Sequence, residues 1–113
     1  MSAQLTLGCL SGIDWERPTL AQVEQLLDGE FPGICIEHTR RRSMECLRVC
    51  GAGGWEAHVN VELCRMFESV LCWYVFVEVV PPKDSGLDFE LHRFSDGDET
   101  VLVQLVERVL LGS

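Results

Sequence analysis

The chain has 113 residues, 47% of them apolar, and carries 18 acidic against 9 basic side chains for a formal charge of −9. That length fits one domain whose core needs no metal or disulfide staple, and it is short for two. The charge opposes loose association with nucleic acid or an anionic membrane and favours a basic partner, and no apolar run approaches the about eighteen uncharged residues that a membrane span needs.

Met1 to Leu5 show no basic region leading into an apolar core, so no secretory signal is expected and the protein is placed in the cytoplasm as a soluble chain. Residues 3–10 alternate loosely and suggest a first strand. Arg17-Pro18-Thr19-Leu20-Ala21-Gln22 then reads as a helix start, because Thr19 can cap free N–H groups while Gln22 reaches back. Leu20, Val23, Leu26 and Leu27 form its apolar stripe, and Gly29 with Pro32 is expected to end it.

From Gly33 the apolar period changes from helical to two. Ile34, Ile36 and His38 share one side, Arg40-Arg41-Arg42 marks a hairpin turn, and Met44 to Cys50 returns. Gly51-Ala52-Gly53-Gly54 is a turn; it lacks the Lys-Ser/Thr that a phosphate loop requires. In the next run Trp55, Ala57, Val59, Val61 and Leu63 alternate with Glu56, His58, Asn60 and Glu62, the pattern of a half-buried antiparallel strand. Leu71 to Val77 is apolar on both sides, as in a central strand or one whose second face meets a partner. After the Pro81-Pro82 loop, Leu87, Phe89 and Leu91 alternate with Asp88, Glu90 and His92 in a last strand. Ser95 or Asp98 then caps a closing helix with Val101, Leu102, Leu105, Val106, Val109 and Leu110 on its apolar face. Strands joined by short turns with helices at both ends imply an α+β domain: a mainly antiparallel sheet of five or six strands, packed by an N-terminal and a C-terminal helix.

Candidate chemistry is sparse. Six cysteines without a secretory signal read as free thiols, and their apolar neighbours suggest core positions. Cys46 and Cys50 share a strand face but stand about 13 Å apart at roughly 3.3 Å per residue, so they cannot chelate one ion together; no metal and no cofactor are expected. Glu56-x-His58 and Glu90-x-His92 could form an acid/base pair, but the spacing is commonplace on a solvated strand face. No catalytic residue is assigned, and the chain is not read as an enzyme.

What remains is surface. With the last three strands adjacent, one face is expected to carry Glu56, His58, Asn60, Glu62, Glu78, Asp88, Glu90 and His92 around Tyr74 and Phe76. Carboxylates there would attract a basic protein, while the two rings supply contact energy.

Three segments carry a family resemblance: Trp15-x-x-Pro18-Thr19 opening an amphipathic helix, the strand from Gly33 to Glu37, and Leu47-x-Val49-x-Gly51-x-Gly53-Gly54-Trp55 leading into the alternating strand. Over about residues 15 to 62 the chain resembles bacterial immunity proteins that neutralise polymorphic and contact-delivered toxins, in particular a family found beside deaminase-type toxins. The resemblance implies stoichiometric inhibition of a cognate toxin, a deaminase or nuclease acting on nucleic acid, by covering its active site, and it transfers no catalytic position. Glu56, His58, Glu62, Glu78, Asp88 and Glu90 with Tyr74 and Phe76 would then meet the toxin. An acidic chaperone for a secreted effector is the alternative, and a small enzyme with a deep pocket is a third reading.

Overall fold

The structure is a computed structural model that describes residues 12–65 and 70–112. Its elements run α1 (Leu20–Glu30), β1 (Ile36–Arg41), β2 (Met44–Cys50), a 3-10 turn (Ala52–Gly54), β3 (Glu56–Arg65), β4 (Leu71–Val80), β5 (Glu90–Phe94) and α2 (Glu99–Leu111). The strands form one antiparallel sheet in sequence order, so each pairs with its chain neighbour and the fold is α+β. The loosely alternating 3–10 segment lies outside the described residues.

Local chemistry explains most of these boundaries. Thr19 accepts from the Gln22 N–H at 3.2 Å while the Gln22 side chain accepts from the Thr19 N–H at 3.1 Å, closing a capping box at the start of α1. The helix runs through Gly29 and stops at Phe31, because Pro32 cannot continue the hydrogen-bond ladder. The hairpin turns at Arg42-Ser43, one residue later than the arginine run suggests, and both residues hold positive φ, 53° and 69°. A two-residue turn needs that twist to match its strands, and here neither position is glycine. Before α2, the Asp98 carboxylate accepts from the Ser95 N–H at 2.7 Å instead of capping the first helical turn.

Both helices lie on one face of the sheet. Leu47, Val49, Ala57, Val59, Val75, Val77 and Val79 point to that face and are fully buried against Val23, Leu26 and Leu27 of α1 and Leu102, Leu105, Val106 and Val109 of α2. Ile13 and Phe94 close the ends of the cluster. The turn after β2 presses on the end of α2: a Cβ on Gly51 would sit 2.0 Å from the Val109 carbonyl oxygen, so only glycine fits. Neither helix of the described residues lies over the other face of the sheet, and that face holds the candidate site.

Candidate functional site

The uncovered face divides into a polar half on β1 to β3 and a more apolar half on β4 and β5. Register places Glu37 opposite Arg48, Arg48 opposite His58, and Cys50 opposite Glu56. Their side chains form a chain of charges: Arg48 donates to Glu37 at 2.6 Å and to Glu56 at 2.7 Å, and Glu56 meets His58 Nε2 at 3.0 Å. Arg48 first, then His58, holds the Glu56 carboxyl below the usual carboxylate range, against an opposing effect of burial. Burial instead pushes His58 below the ordinary histidine value, and Glu56 only partly offsets it. At the far end of β1, Arg41 reaches across to Glu78 of β4 and donates at 2.6 Å, while the Asn60 amide donates to Glu62 at 2.8 Å.

On the apolar half, Tyr74 and Phe76 stand half-buried with ring centroids 6.1 Å apart and planes tilted by 60°, and the Arg93 guanidinium lies 5.2 Å from the Tyr74 centroid. Leu91 of β5 sits opposite Glu78 on this same face and is 63% exposed. Met44, His58, Asn60, Phe76 and Leu91 line a depression of about 250 Å³, bounded at one end by Arg41 and Arg42. Leu87 and Phe89, in the segment entering β5, are also well exposed.

Six of the expected contact residues are therefore brought together: Glu56, His58, Glu62, Tyr74, Phe76 and Glu78 share the uncovered face, with Asn60 among them. Three are not. Phe94 opposite Val75 belongs to the core, and that parity turns Glu90 and His92 toward the helix side, where Glu90 accepts from Arg108 of α2 at 2.8 Å and meets His92 at 2.8 Å. Asp88 precedes the strand altogether. The two Glu-x-His pairs thus occupy opposite faces and form no common acid/base site.

The alternation from Leu87 to His92 misleads because its apolar members are exposed: the core is reached by Phe94, beyond the pattern. Sequence reasoning also missed Arg41 and Arg48. These two cations offset carboxylates that otherwise make the face strongly negative, and the hairpin register was the signal that pairs Arg48 with Glu37.

The cysteines need a correction as well. Among the described residues only Cys46 is buried; Cys35 and Cys72 are exposed, and Cys50 and Cys64 are half-buried. Their apolar neighbours point to the core, and strict strand alternation sends the cysteines the other way. No helix among the described residues is long and apolar enough to cross a membrane. No protein-family model, curated protein or solved structure matches this chain.

Proposed function

We propose that the uncovered sheet face seats a basic protein, and that the chain acts as an immunity protein which inhibits a cognate toxin by covering its active site. The observation that carries the reading is the juxtaposition of Phe76, Leu91 and Met44 around one depression with carboxylates on its border. An exposed large apolar group is ordinary when isolated, but a contiguous set rimmed by polar side chains marks an association surface. Burying the parts of Phe76 and Leu91 that remain exposed would supply roughly half of the about 1.5–3 kcal/mol that full burial of such a side chain gives, which suits anchors of a protein contact.

Charge has a separate role. Arg41 and Arg48 already pair with Glu78, Glu37 and Glu56, so the face itself is close to balanced. Attraction of a basic partner comes from the whole chain's charge of −9, which raises the encounter rate and weakens with added salt. A toxin that acts on nucleic acid presents a cationic groove, the complement of such a field.

The test is co-production with the product of the adjacent gene in a sensitive host. Growth is restored by the wild-type chain and by Val101→Asp, on the exposed side of α2, and fails with Phe76→Asp at equal folded yield. Failure of the wild type to rescue growth or to form a complex refutes the proposal.

A further inference from the structure

Cys35 immediately precedes β1 and Cys50 ends β2. Because Ile36 lies opposite Val49, the two cysteines face each other across the hairpin, and the Cys50 N–H donates to the Cys35 carbonyl at 3.5 Å. Glu37 is two residues further along the same edge. Both thiol sulfurs and one Glu37 carboxylate oxygen lie within 4.8 Å of one another. This convergence is separate from the Phe76 depression and independent of the reading above.

A tetrahedral zinc-like ion holds thiolates at about 2.3 Å and carboxylate oxygen at about 2.0–2.2 Å, which puts neighbouring donors roughly 3.5–4 Å apart. The three groups therefore need to close by at most roughly 1 Å, a movement that rotamer changes of the exposed Cys35 and Glu37 can supply around the half-buried Cys50. Charge fits too. Two thiolates and a carboxylate around a divalent ion leave one net negative charge, and the Arg48 guanidinium, 2.6 Å from Glu37 Oε1 and shared with Glu56, lies beside it. Such a contact outside the ligand shell also fixes the carboxylate's orientation.

We infer that Cys35, Cys50 and Glu37 bind a thiophilic divalent cation of the zinc class, with a water molecule or a partner's side chain as fourth ligand. Binding balances as one divalent ion replacing two thiol protons, which pass to solvent. Nothing is oxidised. The second cross-strand pair, Cys64 opposite Cys72 on the same face, provides an internal comparison, since no carboxylate joins it in a cluster of three donors among the described residues.

Titration of the reduced full chain with cobalt(II), a spectroscopic stand-in for zinc, tests this. One equivalent should produce thiolate-to-metal charge-transfer bands and the visible bands of a tetrahedral ion, and zinc(II) should displace it. Cys35→Ser and Cys50→Ser should each weaken binding by at least about tenfold, Glu37→Gln should weaken it measurably, and the Cys64→Ser/Cys72→Ser double variant should bind as the wild type does. Circular dichroism of each variant checks the fold, and the exposed Cys35 carries the decision if Cys50→Ser unfolds. The inference is overturned if no tetrahedral spectrum develops, if it survives Cys35→Ser, or if it disappears with Cys64 and Cys72 instead.

Discussion

The two faces of this sheet are built from the same alternating strands and are held by different forces. Neighbouring residues of β4 make the contrast: Val77 is fully buried under the helices, whereas Phe76 stands half-buried on the side that neither described helix covers. The helix side is an apolar layer in which β-branched and aliphatic side chains interdigitate. Across the sheet, Arg48 links Glu37 to Glu56 and Arg41 links β1 to β4, so the uncovered face is ordered by ion pairs and a few half-buried rings. One side specifies the fold. The other is free to specify a partner.

Substitutions should separate the two roles. Leu47→Ala, on the helix side, leaves a cavity in the packed layer and should cost about 2–5 kcal/mol in chemical denaturation. Phe76→Ala should cost less stability than that, yet weaken complex formation by about 2 kcal/mol, or about thirtyfold. Equal stability losses at the two positions would erase the distinction between the faces.

Gly51→Ala forces a methyl group against the Val109 carbonyl and should cost about 1–3 kcal/mol through displaced packing between the turn and α2, read as a lower midpoint with an unchanged denaturant slope. Ser43→Gly should act in the opposite direction. It relieves a left-handed residue in the hairpin turn and should stabilise by about 1 kcal/mol, with the uncovered face unaltered.

The two Glu-x-His pairs sharpen the comparison through pH, with the smallest effects. His58 is held below its ordinary value by burial, so the unfolded chain takes up that proton first and stability falls as pH drops below about 6.5. His58→Gln should flatten that part of the profile. Glu90 behaves oppositely: His92 and then Arg108 hold its carboxyl below the usual range, so its contribution is present above the unfolded value and is lost as pH falls through the folded one. Glu90→Gln should therefore destabilise slightly at neutral pH and converge with the wild type in acid. The pair is half-exposed and solvent screens it, which keeps the effect small.

How far the sequence alone discloses this molecule depends on whether a signal is local. The Thr19-Gln22 capping box, the alternation from Glu56 to Val61 and the Leu102, Leu105, Val106 and Val109 stripe of α2 are each contained within one element and appear where the sequence puts them, whereas Val101, expected on that stripe, and Leu63, expected on the buried side of β3, are 53% and 45% exposed. Signals that depend on pairing were harder. The side chosen by β5 follows from Phe94 meeting Val75, and Arg108 reaching from α2 rescues Glu90 on the side where polar residues were not expected. Likewise the Cys35–Cys50 juxtaposition is invisible to spacing along one strand and follows only once the Arg42-Ser43 turn fixes the hairpin register. For the candidate site, the residues of β3 and β4 were legible because one long register joins them, and Asp88 and Glu90 were not because they lie beyond it.

Carboxylate footprinting of the chain, alone and bound to the proposed partner encoded by the adjacent gene, addresses the proposed docking face directly. Glu62 and Glu78 on the uncovered face should lose reactivity in the complex, while the exposed Glu30 of α1 and Glu107 of α2 keep theirs. Protection of Glu30 and Glu107 with Glu62 and Glu78 unchanged would place the partner on the helices and contradict the account.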